Sequence, residues 1–165
     1  MKKHLLKTAV IALSLLFFCG CAKKEGTKTP EAFCANVEAE FASNSFNFDL
    51  VKEKTGCYII TVNTPKSLEN AVIKYDGDRT VLSLNGAENS LDFKEKNSVF
   101  SMITEILDDS SLPDRLTFCS KSGNVESFSG TVERGSYEID FSGDLPCALR
   151  LSPSLSATVT AKDSD

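Results

Sequence analysis

From Phe33 onward apolar residues mostly recur at every second position, and one stretch takes up a helical spacing instead. Period two marks a strand with one buried and one wet face, whereas a helix needs spacings of three and four. Phe33, Ala35, Val37, Ala39 and Phe41 share one phase against Asn36, Glu38 and Glu40, and Phe46, Phe48 and Leu50 alternate with Asn47 and Asp49. Residues 57–62 are apolar on both phases, which predicts a strand covered on both faces and ended by Pro65. Residues 71–75 and 80–84 flank Asp76-Gly77-Asp78, a hairpin whose glycine supplies the positive φ of a tight turn. Asn85-Gly86 marks a second turn before 90–93.

The departure is helical. Val99, Phe100, Ile103, Ile106 and Leu107 follow i, i+3, i+4, i+7 spacing, with Asn97 or Ser98 as N-cap and Leu112-Pro113 as the stop. A helix over about 98–109 is too short to be stable alone and needs a sheet to lie against. Period two then resumes at Leu116 and Phe118, at Ser127-Phe128-Ser129, in a hairpin over 131–141, and in strands near 147–151 and 156–160. This makes eight to eleven short strands and one helix. A sheet of that extent cannot stay flat. The expected fold is mainly β (α+β): a curved antiparallel half-barrel wrapped around the one helix.

That arrangement resembles the half-barrel family of lipoprotein carriers, the LolA-like proteins and the mycobacterial lipid-binding lipoproteins related to them. The residues carrying the resemblance are the run 57–65 and the hairpin through Leu68, Ala71, Val72, Ile73, Asp76 and Gly77. The Asn85-Gly86 turn before Leu91 and Phe93, and the ending from Gly135 through Tyr137 and Phe141 to Pro146, complete it. The likeness covers about 33–160 and implies a concave apolar face able to hold a lipid. The chain is shorter than the classical carriers and lacks their long N-terminal helix, so transfer of lipoproteins between two membranes is not carried over.

The chain begins with Lys2, Lys3 and Lys7, an apolar stretch over 9–18, and Phe18-Cys19-Gly20-Cys21. The stretch is about half the roughly 20 residues that span a bilayer, which suits an export signal. The closing tetrapeptide resembles a bacterial lipobox, although Phe18 stands where Leu is usual. The resemblance implies cleavage before Cys21 and attachment of a diacylglyceryl group to its sulfur; the alternative is an ordinary secretory signal cut nearby. The expected organisation is a signal over 1–20, a lipidated cysteine and flexible tether over 21–32, a half-barrel domain over 33–160 and a polar tail over 161–165. Such a protein sits in the cell envelope, membrane-anchored on the extracytoplasmic side.

Composition narrows the chemistry. Of 18 Lys and Arg, three lie in the signal, leaving 15 against 23 Asp and Glu, a net charge of −8 that disfavours nucleic acid as a partner. The one histidine, His4, leaves with the signal, so Ser-His-Asp and Cys-His catalysis cannot be built. No enzymatic activity, metal or cofactor is expected. Cys34, Cys57, Cys119 and Cys147 remain, with no C-x-x-C pair; their even number permits two disulfides in any of three connectivities, and burial as thiols is the alternative. Asp76-Gly77-Asp78 lacks the further oxygen ligands of a calcium loop. The candidate ligand-binding residues are Phe46, Phe48, Ile73, Tyr75, Leu82, Leu84 and Phe93, which occupy one phase of their strands. Either they line a concave cleft for an apolar or acyl-chain ligand, or they pack on the helix as core. In the second case the protein is an interaction module for another envelope protein.

Overall fold

Tyr58, Ile60 and Val62 stand on the same phase as Phe48, Leu50, Ile73 and Tyr75 across three paired strands, and all seven are buried. The computed structural model describes residues 28–92 and 96–162. The signal, Cys21, Phe93 and residues 163–165 lie outside the described residues.

Eleven strands form one antiparallel sheet: β1 (Phe33–Phe41), β2 (Asn44–Lys54), β3 (Cys57–Thr64), β4 (Val72–Asp76), β5 (Arg79–Leu84), β6 (Ala87–Leu91), β7 (Thr117–Ser122), β8 (Val125–Val132), β9 (Gly135–Ser142), β10 (Leu145–Leu151) and β11 (Leu155–Ala161). The order across the sheet is β6-β5-β4-β3-β2-β1-β11-β10-β9-β8-β7. The chain therefore starts mid-sheet, steps outward to β6, crosses to the opposite edge through helix α1 (Val99–Asp109), and steps back until β11 pairs with β1. With a twist of about 20–25° per strand, eleven strands curl into an open half-barrel whose inward phase faces α1.

Local signals place the helix as expected. The Ser98 hydroxyl accepts from the Ser101 amide (3.1 Å) and the Ser101 hydroxyl from the Ser98 amide (3.2 Å), a reciprocal cap. Ile103 and Ile106 are fully buried, and Phe100 meets Phe46 and Phe48 edge-on at centroid distances of 5.9 and 5.2 Å.

Three expectations need correction. The outward side chains of β3, Ile59 and Thr61, are half-buried, so this strand is covered on one face only; no layer lies on the convex side among the described residues. The tether expected over 21–32 is fixed in its later part: Thr29 is 2% exposed and donates its amide to the Ser110 carbonyl at 3.1 Å. The four cysteines are free thiols on β1, β3, β7 and β10, no two of which are neighbours. Adjacent strands are already about 4.8 Å apart, and a disulfide needs Cα atoms within about 7 Å, so strands two or more steps apart in the sheet do not bring their cysteines into range.

Two hairpins differ in how well their sequence suits the turn. Asn85 and Gly86 both have positive φ, at 51° and 81°, and are the residues such a turn favours. Between β1 and β2 the same conformation falls on Ala42 and Ser43, at 49° and 64°. Left-handed backbone costs an ordinary residue about 1–2 kcal/mol, and a glycine returns part of that gain through its freer unfolded chain. Ser43→Gly should therefore stabilise the fold by about 0.5–1 kcal/mol, read as a higher urea midpoint at unchanged slope. An unchanged or lower midpoint would contradict it.

Candidate functional site

The six candidate residues that the structure describes do not form one site. Phe48, Ile73 and Tyr75 are buried (0%, 8% and 3% exposed), Phe46 and Leu84 are half-buried, and Leu82 is 40% exposed; Phe93 lies outside the described residues. Strand pairing puts Leu82 opposite Ile73, and Ile73 opposite Ile60, so the three share the inward phase. Exposure rises along that row from Ile60 at 0% to Leu82 at 40% toward the sheet edge. The inner candidates are core, and the outer ones are an uncovered rim.

The opposite edge carries a rim residue outside the candidate set, although the alternation at Leu116 and Phe118 places it on a strand. Phe118 on β7 is 53% exposed and pairs with Phe128 of β8, which pairs in turn with Ile139 of β9. The rings of Phe118 and Phe128 stand 5.6 Å apart, and those of Phe128 and Phe141 5.7 Å, both edge-on. Aromatic contacts thus run from the open edge into a fully buried ring. A bulge between Phe118 and Ser120 interrupts the pairing of β7 just past this row.

The helix is fastened at its C-terminal end by two carboxylates, although negative charge at that end opposes the helix dipole. Asp108 accepts from the Tyr58 hydroxyl (2.5 Å) and the Gly56 amide (2.9 Å), and Asp109 accepts from the Tyr137 hydroxyl (2.7 Å). Tyr58 comes from β3 and Tyr137 from β9, on opposite wings of the sheet. Burial and the neighbouring carboxylate push both phenols well above their ordinary pKa, so they remain donors.

Lys52 continues the inward phase of Phe46, Phe48 and Leu50 and is 1% exposed. Its ammonium donates to the Pro30 carbonyl (2.7 Å) and the Ser111 hydroxyl (2.6 Å). Burial lowers its pKa, opposed by the charges of Asp108 and Glu31. These bonds satisfy a group that would otherwise be expensive to bury.

The surface concavities lie elsewhere. One of about 510 Å³ involves the convex phase of β1, β2, β10 and β11, with Glu38, Glu40, Asn47 and Arg150 among its walls; Phe46 is the one candidate bordering it. Another, of about 410 Å³, lies at the end of α1 beside Glu105, Asp109 and Arg115. The alternating carboxylates behave as a wet face: Glu38, Glu40 and Glu138 are exposed, and Asp140 accepts from Arg150 at 2.8 Å.

No family model matches the chain, and no curated protein matches it. Solved structures do. An uncharacterized conserved protein from Thermus thermophilus is similar with a TM-score of 0.53 at 11% identity, over 92% of this chain and 88% of that one. A LolA superfamily protein from Nitrosomonas europaea is similar with a TM-score of 0.49 at 9% identity, over 83% of this chain and 87% of that one. The Thermus likeness speaks to the fold alone.

Proposed function

We propose that the chain is a non-enzymatic lipoprotein of the cell envelope, held on the extracytoplasmic side of the membrane through Cys21, that takes an apolar or acyl-chain ligand on the uncovered rim of its concave face. The observation that carries this reading is the exposure of Leu82 (40%) and Phe118 (53%) on the inward phase, one toward each edge of the sheet. Isolated exposed apolar residues need no explanation. These two sit at the ends of apolar rows that continue into the core, which suits a ligand able to extend inward. The likeness of the sequence to lipid-binding half-barrels supports the same reading.

The test has two parts. Cys21→Ser should move the protein from the membrane to the soluble fraction, because stable attachment takes two or more acyl chains; unchanged fractionation removes the anchor. The soluble variant should then displace a fluorescent fatty acid saturably, and Phe118→Ser should weaken the displacement about five-fold or more. Absence of saturation up to about 100 μM, a binding free energy weaker than about −5.5 kcal/mol, removes the ligand.

A second reading has its own observation. Phe48, Ile73 and Tyr75 are packed as core rather than around a void, as expected of an interaction lipoprotein with a closed interior. Edge strand β7, exposed along its whole length, is then the surface for an envelope protein. Failure of the displacement assay favours this reading.

A further inference from the structure

Where the N-terminal segment joins the domain has a geometric consequence. Thr29 is held to the end of α1 twice: its amide donates to the Ser110 carbonyl (3.1 Å), and its hydroxyl shares a hydrogen bond of 2.6 Å with that of Ser110. Lys52 grips the next residue through the Pro30 carbonyl and the helix end through Ser111 (2.7 and 2.6 Å). Thr29, Ser110 and Lys52 are each at most 2% exposed. Three parts of the chain, the N-terminal segment, β2 and the end of α1, thus meet in one buried clasp.

The clasp lies at a definite pole of the half-barrel. The β2–β3 turn is there, since the Gly56 amide donates to Asp108, and so is the β4–β5 turn, since the Gly77 amide donates to the Gly56 carbonyl at 3.0 Å. Leu112, 43% exposed, leaves the helix at the same end. β1 starts at this pole, with Phe33 opposite Lys52, and runs nine residues to Phe41, which lies opposite Asn44 and Leu155. The turns at Ala42-Ser43 and Pro153-Ser154 therefore occupy the far pole, about 27 Å away at about 3.4 Å per residue.

We propose that this clasp makes the pole at the end of α1 the face turned toward a lipid surface, with the Ala42-Ser43 and Pro153-Ser154 turns carried away from it. The proposal rests on the reading of Cys21 as the anchor. Residues 22–28 separate that cysteine from Thr29, and the eight Cα–Cα steps between the two span at most about 29 Å when fully extended. That only just matches the length of β1, so the far pole meets the membrane only with the segment fully extended, whereas a flexible segment of this length averages about 15 Å. Released from the clasp, the twelve steps from Cys21 to Phe33 would reach about 40 Å and the constraint would vanish. The clasp thus acts by shortening the chain between lipid and domain.

The chain contains no tryptophan, so single-tryptophan variants report position without background. Leu112→Trp and Ser154→Trp, each in the full lipidated chain, are reconstituted in vesicles of phosphatidylethanolamine and phosphatidylglycerol carrying a nitroxide headgroup. Tryptophan at 112 should be quenched at least two-fold more than at 154. Breaking the clasp with Thr29→Pro, or with the milder Ser110→Ala, should bring the two values together. Equal quenching in the intact clasp, or stronger quenching at 154, overturns the proposal while the anchor stands. A chain that does not stay with the vesicles removes the anchor and the proposal with it.

Discussion

Ile103→Ala should lower the stability of the domain by about 2–5 kcal/mol, the cost of deleting a large side chain from a well-packed interior. Ile103 is fully buried at the middle of α1, and its neighbours on the same face, Phe100, Ile106 and Leu107, are at most 5% exposed. The helix is held to the sheet at both ends, by Phe100 against Phe46 and Phe48 near its start and by the Tyr58 and Tyr137 hydroxyls at its end. A helix fixed at both ends cannot slide to fill the gap, which argues for the upper half of that range. A chemical-denaturant titration measures the loss. A change below about half a kcal/mol would place Ile103 outside the core, and the wrapped-helix arrangement would fail with it.

That prediction could be framed from the sequence because the change of hydrophobic period at Val99 belongs to a contiguous stretch. Alternation likewise gave most strands and their inward phase, and Asn85-Gly86 marked its own turn. What stayed hidden depends on contacts distant in sequence or on broken local rules. The turn at Ala42-Ser43 carries neither glycine nor asparagine, so nothing announced it. The Tyr58–Asp108 bond spans 50 residues and the Thr29–Ser110 contact 81, beyond any local pattern. Lys52 stood on the apolar phase of β2 all along, but a lysine there reads as the frayed end of a strand until its two oxygen partners are known. Six of the seven candidate ligand residues, all but Phe93, which lies outside the described residues, fall on the inward face. Alternation says which face a side chain takes, and only the position of the helix decides whether it is core or rim. Hence Phe48 and Tyr75 became core, Leu82 stayed open, and Phe118, read as part of a strand but not as a candidate, is rim.

Gly130→Ala should be nearly as damaging as the loss of a core side chain, although it adds a single methyl group to a strand. Gly130 pairs with Tyr137, whose ring lies across it. A Cβ built at Gly130 would stand 2.4 Å from both Cζ and the hydroxyl oxygen of Tyr137 and 2.7 Å from Cε1. On an exposed ring the clash would be relieved by rotation. Tyr137 is 1% exposed and its hydroxyl is committed to Asp109 at 2.7 Å, so rotation breaks the bond that fastens α1 to β9. Overpacking costs about 1–3 kcal/mol, and a buried hydroxyl stripped of its partner costs about 1–3 kcal/mol more. An overall loss of about 3 kcal/mol is expected. Tyr137→Phe, which removes the bond without the clash, should cost about 1 kcal/mol. The decisive comparison is Gly130→Ala in a Tyr137→Ala background. With no ring to strike, the methyl group should then be tolerated within about half a kcal/mol, leaving a coupling energy of more than about 2 kcal/mol between the two positions. Equal penalties in both backgrounds would mean that Gly130 is required by its own backbone rather than by the tyrosine it carries.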